Sequence, residues 1–380
     1  MSISSPSKQR AGTSYRSAAL ASFALISFLL PARPHWSLGS DVGSAGSDAD
    51  ALIAAEHWKR ARAILQAEVK AHPNNARACY LLAGVDMAFK DYDAALPLAQ
   101  HAVSLAGMNS DYHLRLGHVY GRMAEEANIF AAGPLALKFR KEVEMALALD
   151  PQNVDALDSM MNFKFQAPAM MGGNKDEAPA LAEQIERLNL SEGYLARAEL
   201  AALQKNPTDQ EALLQMAVKA NSKNYSALEE IENFYAQPPN AKYGEAAKYA
   251  QQALQLDPGR IGAYRTLARV YALEGRWQEV DQTLAAAEKN VPDDLSPYYE
   301  AAQALLQTGK DLPKAEGYAQ KYLSQPPEGG EPDGADAHRL LGLLFEKQDR
   351  NAEARAQVLL ALQLRPNFKA AKDDLKRLGD

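Results

Sequence analysis

PGRIGAYRTLARVYALEGRWQEVDQTLAAAEKNVP, residues 258–292, holds the pattern that decides the fold. With Ile261 as position 1, large residues stand at positions 4, 7 and 11 (Tyr264, Leu267 and Tyr271), the recurrence of one helix face. Ala268 at position 8, Val280 at 20 and Ala287 at 27 are the small or medium sites where two helices approach closely. Pro292 closes the unit 34 residues after Pro258. Proline ends a helix there because it lacks the N–H and crowds the preceding turn.

The same spacing recurs along the chain. Leu341, Gly342 and Phe345 take positions 7, 8 and 11 of a later unit, followed by Ala354, Ala361 and Pro366 at 20, 27 and 32. Leu116, Gly117 and Tyr120 repeat the first triplet, and 34 residues upstream a weaker unit starts at Ala76. Asn233-Phe234-Tyr235, with Ala246, Ala253 and Pro258, gives another. This pattern resembles the tetratricopeptide repeat. The resemblance implies an all-α fold, an α-solenoid of antiparallel helix pairs stacked into a superhelix. One pair cannot bury its own apolar stripe, so neighbours share a core. Eight to nine units fit between about residues 50 and 368; residues 193–224 are the least regular, and the unit with Trp58 has a degraded first helix. The expected organisation is a signal peptide at 1–36, a flexible linker at 37–50, the repeat array at 51–368 and a C-terminal capping helix at 369–380.

The start of the chain carries its own signal. Lys8, Arg10 and Arg16 precede a 13-residue apolar run, Ala18 to Leu30, and a Gly/Ser/Asp-rich stretch follows. That is the layout of a secretory signal, and the run is short for a spanning helix. It predicts export to the periplasm or medium, by a cleaved signal or with an uncleaved N-terminal anchor. Cleavage sites after Ala32, Gly39 and Ala45 all fit. The formal net charge is -7 with a pI near 5.6, and removing residues 1–36 leaves 37 basic residues against 48 acidic ones. That balance argues against a general nucleic-acid or anionic-membrane binder, both of which need a basic face. The single cysteine, Cys79, can form no internal disulfide and falls in a helical pattern, so it reads as a small buried side chain.

Three units carry extra residues between their first and second helices, around NIFAAGPLA (128–136), QAPAMMGGN (166–174) and AQPPNAKYG (236–244). These segments are expected as loops along one edge of the solenoid. In the second, Pro168 stops a helix, Gly172 and Gly173 permit a tight turn, and Asn174 or Asp176 can cap the next helix. Met160, Met161, Met170 and Met171 would fill the gap that the insertion leaves. The spacing of Pro168, Gly172, Gly173 and Ala178 also resembles the helix–loop–helix of the periplasmic T-components of TRAP transporters. Asn174 stands where aspartate is expected there, and the lipid-bearing cysteine is missing. That resemblance implies a ligand-contacting loop built from Phe165, Pro168, Met170, Met171, Gly172 and Gly173.

No residue pattern points to chemistry. His113 and His118 are five apart and do not share a helix face as a zinc-binding pair does. There is no Gly-rich phosphate loop and no nucleophile motif, so no catalytic, cofactor or metal residues are expected. The fold instead offers a concave surface at positions 2, 5, 9 and 12 of each first helix. There Arg265, Arg269, Tyr299 and Arg339 are the candidate contacts for a protein or peptide partner. The leading expectation is an exported, non-enzymatic scaffold binding another protein through that face. The alternative is a periplasmic carrier or transporter-accessory protein holding a small or apolar ligand near the inserted loops.

Overall fold

The computed structural model describes residues 44–330 and 332–379. The expected signal segment at 1–36 lies outside them. Nineteen α-helices form nine antiparallel pairs and a final single helix among these residues. The pairs are α1 (Ser44–Ala54) with α2 (Trp58–Ala71), α3 (Ala76–Ala88) with α4 (Tyr92–Leu105), and α5 (Ser110–Glu126) with α6 (Ile129–Leu149). Then come α7 (Val154–Gln166) with α8 (Ala178–Leu188), α9 (Leu190–Leu203) with α10 (Pro207–Ala220), and α11 (Tyr225–Ala236) with α12 (Tyr243–Leu256). The last are α13 (Gly262–Glu274) with α14 (Trp277–Asn290), α15 (Ser296–Thr308) with α16 (Leu312–Tyr322), and α17 (Gly334–Glu346) with α18 (Asn351–Leu364), followed by α19 (Lys369–Leu378).

Local sequence explains the boundaries. Asn75, Asn109, Asn153, Asn189 and Asn224 each cap a first helix by accepting from a backbone N–H one turn in. Two of these caps also tie repeats together. The Asn153 amide donates to Ser110 Oγ and Asp111 Oδ1 of the previous pair, and Asn224 does the same to Ser191 Oγ and Glu192 Oε1. Gly275 and Gly309 end α13 and α15 in the left-handed conformation. Ala268, Val280, Ala287, Ala354 and Ala361 are all buried at the helix crossings, as the spacing requires. Consecutive first helices touch one another, as α3 and α5, α11 and α13, and α13 and α15 do, so they form the inner layer.

Two expectations need correction. Residues 44–50 are not linker but the start of α1, held because Ala49 and Ile53 are fully buried against the following helices. Residues 129–136 are not a loop but the first turns of α6. The ten inserted residues lengthen α5 and α6 together, and the added turns go on packing through Ala124, Ala136 and Phe139. Pro134 is tolerated because the carbonyl it leaves unbonded belongs to Phe130, at the exposed tip. Contacts also reach beyond neighbouring pairs. After six to eight pairs the chain returns to its start: Arg260 meets Glu56, His57 and Arg60 meet Asp293, and Lys59 meets Glu328. The array therefore completes a full turn around its own concave face.

Candidate functional site

Successive first helices lie side by side, so concave positions about one repeat apart become neighbours. Arg115 lies over the Tyr80 ring at 5.0 Å, and Tyr80 stacks on Tyr112 at 5.0 Å. His118 Nε2 is 2.9 Å from Ser159 Oγ on the next first helix. Burial, with the Arg115 and Arg122 guanidiniums adding to it, pushes the His118 imidazole down to about 3, so it is neutral at physiological pH.

The candidate cations follow the same rule. Arg265 pairs with Glu300 at 3.4 Å. Arg269 pairs with Glu300 at 3.3 Å and donates to Gln303 at 3.0 Å and to Gln237 at 3.4 Å. Arg339 pairs with Asp374 on α19 at 2.6 Å. All three arginines expected to meet a partner are thus committed to groups of this chain. Tyr299 is half-buried with its ring 5.5 Å from that of Tyr322.

A second polar group gathers where the first pair meets α11 and α13. The Arg260 guanidinium sits 3.7 Å above the Tyr225 ring and donates to Glu56 at 2.9 Å. Glu229 lies beside Gly262, and a Cβ there would come within 2.6 Å of its Oε1. Burial first, and Glu56 second, raise the Glu229 carboxyl to about 7 against the pull of Arg260. One helical turn on, Glu232 is 1% exposed, and burial lifts its carboxyl well above the usual carboxylate range. Glu229 was within reach of the concave-position rule. Tyr225, Arg260 and Glu56 stand at helix edges and turns that the rule does not count.

The inserted loop is a joint. A short 3-10 turn, Ala169–Met171, follows α7 and ends at Gly172, whose φ is 96°. Arg140 of α6 donates to the Met171 carbonyl at 3.0 Å and fills the space beside Gly172. Gly173 lies so close to Ala167 O that a Cβ would approach it to 1.8 Å. The Pro168 carbonyl accepts from the Met171 and Gly173 amides, and Phe165 is half-buried with Lys175 4.9 Å over its ring. Met160 and Met161 are core residues and Met171 is half-buried, but Met170 is 94% exposed and fills no gap. Asn174 accepts from Asp176 in the turn rather than capping α8. Among the described residues no group of three or more His, Cys, Asp or Glu is placed to hold a metal ion, and no helix is long and apolar enough to cross a membrane. Cys79 is fully buried.

Helix pairs in a common register, stacked into a superhelix with a shared core, define an α-solenoid. Two family models, both described as tetratricopeptide repeat, match residues 48–132 with 299–367 and residues 240–306, together more than half of the chain. The chain belongs to the tetratricopeptide-repeat proteins, a family whose repeats suggest a protein-interaction scaffold. No curated protein matches it. Among solved structures it is similar to a tetratricopeptide repeat protein from Parabacteroides merdae, at 16% identity and TM-score 0.44, covering 70% of this chain and 99% of that one. It is also similar to yeast Tom70, at 13% identity and TM-score 0.46, covering 88% and 87% of the two chains. A third similarity is to a human IFIT1 dimer with PPP-AAAA, at 16% identity and TM-score 0.43, covering 84% and 72%.

Proposed function

We propose that the protein is an exported, non-enzymatic scaffold that binds an extended segment or helix of another protein along its concave face. The observation that carries this reading is the inner face itself. Half-buried rings, Tyr80 and Tyr299, stand among charged side chains that neighbouring repeats hold in place. Aromatic and arginine side chains are the types that protein interfaces favour. Because the arginines are already paired, a partner is recognised mainly by shape, ring contact and hydrogen bonds. Export rests on the sequence before residue 37, where Lys8, Arg10 and Arg16 precede the apolar run.

The test places a photo-crosslinking side chain at Tyr299 on the inner face or at Glu183, an exposed position on α8. Crosslinks to a discrete protein from Tyr299 and none from Glu183 support the reading. Crosslinks from Glu183 alone move the interface to the outside. N-terminal sequencing of the protein from its native host tests export, and an intact Met1 in a cytosolic fraction removes it.

A further inference from the structure

We propose that the turn at residues 56–60 is an electrostatic latch that holds the array in its closed turn and releases as a unit with the helices intact. Helix α2 starts without a side-chain cap, since His57 supplies none. The open backbone N–H of Lys59 donates instead to Glu328 Oε1 at 2.6 Å, so a carboxylate from the loop before α17 caps a helix 269 residues away. The Lys59 ammonium is also fully engaged. It donates to the carbonyls of Asp293 at 2.7 Å and Pro326 at 2.9 Å, and it pairs with Glu328 Oε2 at 3.1 Å. Asp293 further receives Arg60 Nε at 2.7 Å, with His57 Nδ1 3.2 Å away. On the return side the Gly330 amide donates to Ala88 O at 2.7 Å, where α3 ends. The glycine lets the loop come this close, because a Cβ there would fall 2.8 Å from Lys90 Cγ.

The closure differs in kind from every joint between successive pairs. Those joints are buried apolar clusters, such as the one from Leu195 to Ala304. The closure contacts are charged side chains and single backbone bonds; salt screens them through the exposed Arg60 and the part-exposed Lys59, and screens the buried Glu328 carboxyl less. In a repeat array the stability resides in each unit and its nearest neighbours. Opening the latch leaves those interfaces whole, and it hydrates the Glu328 side chain, which is 1% exposed when closed. An open array would let a long partner enter the concave face from the side. The latch itself does not depend on what that face binds.

The full chain is measured by small-angle X-ray scattering and circular dichroism, as wild type and as the double variant Lys59→Ala/Arg60→Ala. The variant should keep its helicity, with a larger radius of gyration and a longer maximum dimension, and wild type in about 1 M salt should shift the same way. Arg350→Ala serves as control, since its partners Glu316 and Glu353 lie away from the closure, and it should scatter like wild type. Hydrogen exchange of the wild-type Gly330 amide reads the latch without any substitution. That amide should exchange about tenfold faster or more than those of α13, and faster still in salt. Superimposable scattering from a fully helical double variant would overturn the proposal. So would a Gly330 amide that exchanges no faster than the α13 core. If the double variant fails to fold, the exchange result alone decides.

Discussion

The same substitution, Gly to Ala inside a helix, should act with opposite sign at Gly193 and Gly317. Alanine is the better helix former by about 1 kcal/mol, so propensity alone favours it at both sites. At Gly317, in α16, a Cβ would meet nothing within 4 Å. Gly317→Ala should therefore stabilise by about 0.5–1 kcal/mol. At Gly193, in α9, a Cβ would lie 2.2 Å from the Cα and 2.6 Å from the backbone nitrogen of Glu186, on α8. Those are main-chain atoms, so no rotamer change relieves the clash. Ordinary contact begins near 3.4 Å, which means α8 and α9 must separate by about 1.2 Å. Ile185 and Ala196, buried where these helices meet, would lose part of their packing. Overpacking of this kind costs about 1–3 kcal/mol, which outweighs the propensity gain. Urea denaturation followed by circular dichroism gives the sign directly, as a lower midpoint for Gly193→Ala and a higher one for Gly317→Ala. A Gly193→Ala protein as stable as wild type would refute the claimed closeness of α8 to α9.

The remaining predictions concern the buried acids, the loop and the core. Glu229, raised from 4.5 to about 7, gives stability that is fully present below about 4.5 and is lost as pH rises through about 7. Glu232 is raised in the same direction, so Glu229→Gln or Glu232→Gln should flatten the fall in the denaturation midpoint between pH 5 and 8. His118 acts oppositely: lowered from 6.5 to about 3, it gives stability that is full above 6.5 and drains as pH falls towards 3. His118→Gln should shrink the acid-side loss relative to wild type, and an unchanged acid limb would show that the imidazole is hydrated. Gly172→Ala should destabilise by about 1–3 kcal/mol, since its φ of 96° is left-handed and the Arg140 guanidinium, 2.2 Å from the new Cβ, must swing away from the Met171 carbonyl. Met161→Ala should cost about 2–5 kcal/mol and Met170→Ala almost nothing, because Met161 is fully buried and Met170 is 94% exposed. Equal losses at the two sites, seen in thermal melts, would mean that the loop packs differently.

The repeat register was legible because it is enforced by exclusion. A residue at position 8 or 20 stands where one helix rests on another, and few side chains fit. At Gly342 a Cβ would already come within 3.0 Å of Val358. Glu232 breaks that rule at position 8 of its unit, and no local pattern announces it; burial there raises its carboxyl well above the usual carboxylate range. Proline and glycine were the less dependable marks. Gly133 and Pro134 read as loop residues, yet Asn128 caps the helix ahead of them by accepting from the Phe130 and Ala131 amides. The closure was illegible for a different reason. Its partners stand more than 200 residues apart, and ion pairs, unlike apolar stripes, have no period to read. The one local hint is the Gly329-Gly330 pair in the longest connection between repeats, from Leu323 to Asp333.

The repeat period also decides what the concave charges can do. Arg265 with Glu300, and Arg339 with Asp374, are each 35 residues apart, close to one repeat. A cation read from a single unit as a contact for partners therefore meets its counter-charge on the next unit before any partner arrives. Concave charges are better read in pairs at the repeat distance, and only the remainder is available for binding. Glu229 is such a remainder. Its neighbour on the next first helix is Gly262, which brings no side chain, and the carboxylate occupies the space one would have filled. The charge nearest in effect comes from the far end of the array, where Glu56 raises the Glu229 carboxyl further. Glu56 reaches that position only because the chain has closed on itself. The latch and the concave face thus meet at this carboxylate, so opening the turn takes away the Glu56 contribution and lets the Glu229 carboxyl titrate lower.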